Sequence, residues 1–286
     1  SLRPTDRESP VDSPTPVVPI SRAGLARLTG KQDVRLQQLA QEIRTFRKPQ
    51  SRLIRGVTVD YKASIAGNAT IGRNVIAILP GSDLRRRREG VVIGAHFDHL
   101  GERRQRTYFG ANDNAAGVGA LLAVAEAFRA LPEAPARTVV FVAFGAEEIG
   151  KLGSTHYVAR PVIPMARTVT MINFDMIGHN DPNGVNVCAT RSSSGLHAIH
   201  QAANRHVGLK LTHPANFRIG RSDHTAFYFS DVPVMYLFGG FHKEYNTPED
   251  TVDKLNANKL ERVARLAFLT AYMVAAAKEG PKFDGE

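Results

Sequence analysis

The chain has 286 residues, 43% of them hydrophobic, and a formal net charge of +10 at pH 7. This composition suits one large domain or a domain with an appendage, and it excludes collagen-like and largely disordered chains. A single cysteine, Cys188, excludes an internal disulfide, so the fold must rest on its core or on bound metal. The apolar stretches are too short to span a bilayer, so we expect no membrane span.

Much of the positive charge lies in two arginine clusters, Arg85–Arg88 and residues 103–106. Such clusters can attract nucleic acid. No aromatic residues interleave with these arginines and no nucleic-acid-binding motif accompanies them, so we expect solvated loops and no nucleic-acid partner. The chain begins with Ser1 and shows no signal peptide, which predicts a processed or trimmed chain.

Residues 1–48 are predicted to form an appendage to the main domain. Residues 1–20 are rich in proline and are typical of an extended arm. Apolar residues at three- and four-residue spacing then predict helical structure between Leu25 and Phe46, which Pro49 ends. The main domain is therefore expected to cover residues 49–286.

Strands and helices are predicted to alternate along the main domain. An alternating strand, Arg52–Ala66, and a second strand, Asn74–Leu79, come first, and the buried strand Val91–Gly94 follows. The later predicted strands are Arg137–Phe144, Thr168–Phe174, Val185–Ala189 and Val232–Phe238. The predicted helices are Ala115–Ala130, Gly153–Arg160, Leu196–Val207 and Asn256–Lys278. This order predicts a three-layer α/β/α sandwich with a mixed, mostly parallel central sheet, extended antiparallel at one edge by the opening strands.

Polar side chains that can bind metal follow the ends of successive predicted core strands. His96 and Asp98 follow the first buried strand, and Asp113 opens the next helix. The later strand ends are followed by Glu147, Glu148, Asp175, His242 and Tyr245. Because ligands bind at the carboxyl ends of strands in open α/β sheets, we expect these side chains to lie close together.

Imidazole and carboxylate groups without a thiolate suit zinc, cobalt or manganese, and an excess of carboxylates suits a pair of ions. Asp113 could bridge two ions about 3.5–4 Å apart. Neighbouring side chains of an extended backbone point in opposite directions, so Glu147 and Glu148 are not both expected to bind one ion. One of them would bind metal, and the other would accept a proton from water.

Several motifs occur in an order and spacing typical of one family. They read GAHFDHLG from Gly94, GANDNAAGVGALL from Gly110, FVAFGAEEIGKLGS from Phe141, INFDMIG from Ile172, SDHTAFYFSDVPVMYLF from Ser222 and YNTPEDT from Tyr245. Over roughly Asn74–Ala275 the chain resembles the M28 metallopeptidases, the co-catalytic two-zinc aminopeptidases. Residues 22–49 also resemble the helical connector that follows a protease-associated insert domain in longer relatives. The resemblance implies a zinc-exopeptidase fold, two zinc ions per chain and peptide substrates.

The resemblance also implies which residues bind the two ions. His96 and Asp175 would hold one zinc, Asp113 would bridge, and Glu148 would hold the second. The family's last ligand is usually the histidine directly after the motif tyrosine, and here that position is Asn246. His242, four residues earlier, is the predicted substitute ligand.

Three further residues receive catalytic roles from the same resemblance. Glu147 would be the general base that acts on the bridging water. Asp98 would orient the imidazole of His96 through a hydrogen bond. Tyr245 would donate a hydrogen bond to the developing oxyanion.

The remaining polar residues give weaker patterns. Ser222, Asp223 and His224 are triad residue types, but consecutive residues rarely converge and no nucleophile elbow is present. His224 is expected to support the substrate pocket, or Asp223 a local hydrogen bond. His197 and His200 share a helix face and are expected to be solvated. Other histidines have no evident role: His99, His156, His179, His206 and His213.

The expected activity is that of an aminopeptidase, and three alternatives stay open. A glutaminyl-cyclase-like acyltransferase with one zinc is favoured by the altered second site, but the chain has no tryptophan, which commonly lines the cyclase pocket. A non-catalytic binding domain conflicts with the nearly complete set of ligands. Hydrolysis of small acyl-amino acids would use similar metal chemistry. The resemblance implies an extracytoplasmic location, and the oligomeric state is not predicted.

Overall fold

The computed structural model describes residues 21–30, 33–46, 71–103, 105–188, 192–214 and 220–285. The chain divides into two units, Ser1–Asn68 and Ala69–Glu286. The predicted extended arm, the domain boundary near residue 48 and the strand Arg52–Ala66 lie outside the described residues. No helix in the described part of the chain combines the length and apolar character needed to cross a membrane.

The described part of the first unit is a pair of helices, α1 (Arg22–Thr29) and α2 (Asp33–Phe46). The side chain of Ser21 accepts a hydrogen bond from the backbone N–H of Gly24 and so caps the start of α1. Gly30 follows α1 with a φ of 62°, a left-handed conformation that glycine adopts readily and that ends a helix. The predicted helical segment is therefore two helices.

A seven-stranded sheet forms the centre of the second unit. The strands are β1 (Val75–Leu79), β2 (Gly90–His96), β3 (Gly101–Arg103), β4 (Arg106–Tyr108), β5 (Thr138–Phe144), β6 (Thr168–Asp175), β7 (Gly184–Cys188), β8 (Lys210–Thr212) and β9 (Val234–Phe238). The sheet order is β1-β5-β2-β6-β9-β7-β8, and β3 and β4 form a separate ribbon. The strands β5, β2, β6 and β9 are parallel to one another, whereas β1 and β7 run antiparallel to their neighbours β5 and β9.

Helices cover both faces of this sheet. They are α3 (Ala116–Arg129), α4 (Leu152–Ala159), α5 (Ser194–Asn204), α6 (His224–Tyr228) and α7 (Ala257–Ala276). Apolar residues of α3, α5 and α7 form one buried cluster with the sheet, and residues of α4 and α6 form another. The predicted three-layer fold is confirmed, while β3, β4, β8 and α6 were not predicted.

The central strand β2 is buried along its whole length. Val91 and Ile93 belong to the core beneath α3 and α7, and Val92 belongs to the opposite core. Burial on both faces explains its unbroken apolar sequence. The strand extends beyond the predicted end at Gly94, because His96 still pairs in register with Phe144 of β5. The regular sheet thereby fixes the backbone of His96.

Candidate metal centre

The carboxyl ends of the parallel strands border a cavity of about 230 Å³. Its lining residues are His96, Asp113, Glu147, Glu148, Asp175, Met176, Arg221, Tyr236, Phe238, Phe241 and Tyr245. The structure therefore brings together the predicted site residues except Asp98 and His242, which do not line this cavity. The position agrees with the rule that open α/β sheets bind ligands at the carboxyl ends of their strands.

His96 lies between two buried carboxylates. Its Nε2 is 3.3 Å from Asp113 Oδ1 and 3.5 Å from Asp175 Oδ1. Burial lowers the pKa of His96, but the hydrogen bonds and negative charges of Asp113 and Asp175 outweigh burial and hold that pKa well above its usual value. An imidazole and two carboxylates grouped in this way favour a bound cation, because the carboxylates carry negative charge.

Asp113 is positioned by two buried polar side chains. Asp250 accepts hydrogen bonds from the backbone N–H groups of Asn112 and Asp113, at 2.9 and 3.1 Å. The side-chain oxygen of Asn114 accepts a hydrogen bond from the N–H of Met176, which follows β6. The sequence motif that contains Asp250 was recognised, but no role was predicted for that residue. Its structural role is to fix the backbone at Asp113.

Asp98 acts on both His96 and the Glu147–Glu148 segment. His96 Nδ1 lies 3.1 Å from the backbone oxygen of Asp98, whereas the Asp98 carboxylate is 3.9 Å away. That carboxylate instead accepts hydrogen bonds from the backbone N–H groups of Glu147 and Glu148, at 3.0 and 3.2 Å. The contact of Asp98 with His96 is therefore made by its backbone oxygen, and its carboxylate contacts the Glu147–Glu148 segment.

Glu147 and Glu148 follow β5 and have different surroundings. The carboxylate of Glu147 lines the cavity and has no hydrogen-bond or ion-pair partner among the residues described. Burial raises the pKa of Glu147 to about 8; the positive charge of His96 opposes this shift, and the negative charges of Asp175 and Asp223 add to it. A raised pKa makes this side chain a stronger proton acceptor than an ordinary glutamate. Glu148 Oε1 lies 2.8 Å from His99 Nδ1. The two neighbouring carboxylates thus differ in their surroundings, and the division into one metal ligand and one proton acceptor stays a prediction.

His99 lies at this site although the sequence analysis gave it no role. Its side chain is 8% exposed, and its Nδ1 lies near both Glu148 and Asp113, the latter at 3.9 Å to Oδ2. It follows His96 by three residues, in the loop between β2 and β3. That short spacing was the available signal, because two histidines three residues apart in one loop can reach the same site.

His242 has contacts away from the cavity carboxylates. Asn112 Oδ1 accepts a hydrogen bond from Gly178 N–H, so the amide nitrogen of Asn112 donates to His242 Nε2 at 2.9 Å. His242 Nδ1 lies 3.3 Å from Glu244 Oε2, and the ring stacks on His179. Both ring nitrogens are therefore engaged outside the cavity, and the expectation that His242 binds the second ion stays a prediction.

Tyr245 and Asn246 lie at the rim of the cavity. Tyr245 lines it and is about one-third exposed. Burial raises the pKa of Tyr245, so its hydroxyl stays protonated and able to donate a hydrogen bond. Asn246 is exposed and has a φ of 56°, a left-handed conformation that asparagine tolerates.

The wall of the cavity includes aromatic residues without a predicted role. Tyr236, on β9, has its hydroxyl 3.4 Å from Asp175 Oδ2, and its ring stacks on that of His224. Burial lowers the pKa of His224 to about 3, so this ring is neutral and packs behind the wall. The guanidinium of Arg221 lies 5.3 Å from the ring centre of Phe241. The sequence did not indicate a role for Tyr236, because it lies in an apolar strand, where an aromatic residue usually belongs to the core.

Several buried polar atoms at this site have no hydrogen-bond partner within the described part of the chain. They are His99 Nδ1, His99 Nε2, Glu148 Oε1 and Asp175 Oδ1. Buried polar atoms without partners are rare in folded proteins. Oxygen and imidazole nitrogen atoms grouped without thiolates are the ligands that zinc accepts. The residues present therefore fit a bound metal ion.

A separate cluster of three histidines lies on α5 and just after β8. His200 is fully buried, and its Nε2 is 3.0 Å from His213 Nε2. The ring of His197 lies edge-on to that of His200. The expectation of a solvated pair at His197 and His200 is therefore corrected, because the face of α5 that carries His200 is buried.

Comparison with known families now identifies the chain. The sequence model of peptidase family M28 matches residues 74–271, which is more than half of the sequence. The chain belongs to peptidase family M28. The match includes every residue that lines the cavity, from His96 to Tyr245. The family that the motifs indicated is thus confirmed.

Relatives of this M28 protein include enzymes with established names. Aminopeptidase YwaD of Bacillus subtilis is 28% identical over 206 residues, which cover 67% of this chain and 42% of that protein. Leupeptin-inactivating enzyme 1 of Streptomyces exfoliatus is 33% identical over 188 residues, covering 65% of this chain and 40% of that enzyme. The M28 chain thus spans less than half the length of these relatives.

Solved structures share the fold. A zinc aminopeptidase from Bacillus subtilis superposes with a TM-score of 0.61 at 25% identity, covering 74% of this chain and 53% of that one. A glutaminyl cyclase from an Acidobacteriales bacterium gives a TM-score of 0.58 at 21% identity, covering 71% and 74%. The second likeness concerns the fold alone. Because one fold serves both reactions, function must be argued from the site.

Proposed function

We propose that this M28 protein is a zinc-dependent aminopeptidase that removes N-terminal residues from peptides. The observation that carries the proposal is the free carboxylate of Glu147 in the same cavity as the His96, Asp113 and Asp175 group. A proton acceptor beside a metal-competent cluster is the arrangement that metal-assisted peptide hydrolysis requires. The family and the names of its relatives support the same reaction class.

Two zinc ions are proposed at the site. His96 and Asp175 would hold the first ion, Asp113 would be shared, and Glu148 would bind the second. When bound, the ions would lower the pKa of water and polarise the carbonyl of the scissile bond. The roles of the protein groups follow from their contacts.

Glu147 would move the proton. Its carboxylate would accept a proton from the attacking water and deliver it to the amine that leaves. Asp98 would hold this carboxylate in position through the backbone N–H of Glu147. Tyr245, at the rim, would donate its hydroxyl proton in a hydrogen bond to the oxygen that gains negative charge.

The size of the cavity supports attack at a chain terminus. Its volume of about 230 Å³ lies below the range of about 300–1,000 Å³ for cavities that hold drug-sized ligands. Such a cavity suits one residue with its side chain. The rings of Phe238 and Phe241 give it an apolar wall, so the proposed substrates carry an apolar residue at the N-terminus.

The alternatives have less support at this site. A cyclase with one zinc would not need the second group of metal-competent side chains that contains His99 and Glu148. A non-catalytic binding domain would not need a free proton acceptor at Glu147. An extracytoplasmic location stays a prediction from the family resemblance.

Hydrolysis of a small panel of substrates tests the proposal. The panel contains leucine, phenylalanine, lysine and glutamate p-nitroanilides, N-acetyl-leucine p-nitroanilide and a peptide that begins with glutamine. We expect hydrolysis of the free aminoacyl substrates, fastest for leucine and phenylalanine, and none of the acetylated one. A zinc chelator should abolish the activity, and added zinc should restore it.

Other outcomes of the panel identify the alternatives. Equal hydrolysis of the acetylated substrate would point to an acyl-amino-acid hydrolase. Release of ammonia from the glutamine peptide without peptide hydrolysis would point to a cyclase. If zinc-loaded protein turns over none of these compounds, the proposed function is wrong.

A further inference from the structure

We infer that His99, from the loop after β2, is the imidazole ligand of the second metal ion, in the place of Asn246. The inference rests on the proposed two-ion centre. It differs from the pattern of the family, in which the loop after β9 supplies this ligand. The second ion would then be held by His99, Glu148 and the shared Asp113.

The first support is the geometry around His99. Ligand atoms of His99, Asp113 and Glu148 all lie within 4.8 Å of one another. His99 Nδ1 and Glu148 Oε1 are 2.8 Å apart, yet neither atom has a hydrogen-bond partner among the described residues, so the ring nitrogen and the oxygen are not aligned for a hydrogen bond. Two ligand atoms that lie close together without a hydrogen bond between them are expected when both face the same metal ion.

The second support is the division of the Asp113 oxygens. Oδ1 lies 3.3 Å from His96 Nε2, whereas Oδ2 lies 3.9 Å from His99 Nδ1. Each oxygen thus faces a different histidine. A carboxylate that bridges two ions has this arrangement, with one oxygen for each ion.

With His99 included, the two halves of the centre have the same composition. The first half contains His96, Asp113 and Asp175, and the second contains His99, Asp113 and Glu148. Each half offers one imidazole and two carboxylates, which is a ligand set that zinc accepts. Without His99, the second half would hold carboxylates alone.

The third support is that a glycine leaves space for the His99 ring. Gly110 lies against the ring, with a φ of 62°, and a Cβ there would come within 2.5 Å of His99 Cγ. The same Cβ would also collide with the backbone oxygen of Asp113. Gly110 therefore leaves room for the ring beside Asp113.

The competing ligands are poorly suited. His242 Nε2 accepts a hydrogen bond from Asn112, and its Nδ1 faces Glu244. Asn246 is exposed, and its amide oxygen is a weaker zinc ligand than an imidazole nitrogen. His99 differs from both, because its two ring nitrogens are buried and have no hydrogen-bond partner among the described residues.

Zinc binding to matched variants tests the inference. The full chain, its His99→Asn variant and its His242→Asn variant are stripped of metal and titrated calorimetrically with zinc. Wild type should bind two equivalents. We expect His99→Asn to weaken the second equivalent by about 100-fold or more and to keep the first, because a direct ligand counts for more than an outer partner. His242→Asn should keep both.

A measurement on the wild-type protein covers the case in which a variant does not fold. Deuterium exchange at the imidazole C2 atoms, followed by mass spectrometry of histidine peptides, reports ligation of each ring. The second equivalent of zinc should slow exchange at His99 and leave His242 unchanged.

Three results would overturn the inference. They are loss of the second ion in His242→Asn but not in His99→Asn, slowed exchange at His242 instead of His99, and binding of a single ion by the wild type. Two ions bound through His99 without peptide hydrolysis would support the inference and contradict the proposed aminopeptidase function.

Discussion

The carboxylate of Asp98 accepts a hydrogen bond from the backbone N–H of Glu147, with Oδ1 3.0 Å from the nitrogen. The backbone oxygen of the same residue lies 3.1 Å from His96 Nδ1. One residue thus positions a metal-site histidine through its main chain and the proposed proton acceptor through its side chain. The two functions can be separated by mutation.

Replacing Asp98 by Asn should lower kcat by about 10- to 100-fold and leave the first zinc in place. The amide keeps one acceptor oxygen but loses the other, so the segment that carries Glu147 is held less firmly. The backbone oxygen that orients His96 is unchanged. Steady-state kinetics and metal analysis of one preparation check both parts, and loss of the first zinc would contradict this division of roles.

The Glu147→Gln variant should lose about 100- to 10,000-fold in kcat, because the amide cannot accept the proton from water. Its zinc content should equal that of the wild type, since Glu147 has no ligand role in the proposal. Glu126→Gln, the same change at an exposed position of α3, is the control and should be fully active. If Glu147→Gln loses zinc instead, Glu147 and Glu148 have each other's roles.

Gly110→Ala should destabilise the chain and weaken binding of the second zinc together. The new Cβ would meet the His99 ring, and the left-handed backbone costs a non-glycine residue about 1–2 kcal/mol. Gly119→Ala is a matched control in α3, where a Cβ meets no atom within 4 Å. That control should gain about 0.5–1 kcal/mol in stability. Chemical denaturation and zinc titration of both variants give the comparison.

Stability should rise with pH between about 4 and 6.5 because of the histidine cluster on α5. Burial, with the positive charges of His197 and His213, lowers the pKa of His200 from 6.5 to about 4. In this window the unfolded chain binds the proton that the folded chain excludes, so the contribution is complete above pH 6.5 and is lost as pH falls. The shift corresponds to at most about 3 kcal/mol.

The free energy of unfolding, measured in urea across this pH range, checks the effect. The His200→Gln variant, which cannot titrate at this position, should show a flatter pH dependence than the wild type. Equal slopes would mean that His200 is protonated in the folded chain.

The ends of predicted elements were sufficient to predict the histidine and the carboxylates of the cavity. His96 and Asp175 end core strands, Glu147 and Glu148 follow one, and Asp113 precedes the next helix; in a parallel sheet such positions meet at one edge. This part of the site depends only on topology, which the alternation of apolar runs reveals.

The remaining parts depend on contacts between distant segments. His242 was chosen for its closeness to Tyr245 along the chain, but the amide of Asn112 engages it in the fold. Nothing in the local sequence shows that contact. Likewise, helical periodicity predicted that His197 and His200 share a helix face. It did not predict their contact with His213, which lies outside that helix.

In the proposed two-ion centre Asp113 is common to both halves, and this sharing has a further consequence. Two sites that share a ligand cannot fill independently, so occupancy of one changes the affinity of the other, and the coupling is equal in both directions. In the proposed centre the affinities of the two sites would follow from their separate ligands, and the coupling between them from the shared carboxylate. The M28 chain at low zinc would exist as a mixture of empty, singly loaded and doubly loaded forms, whose proportions Asp113 governs.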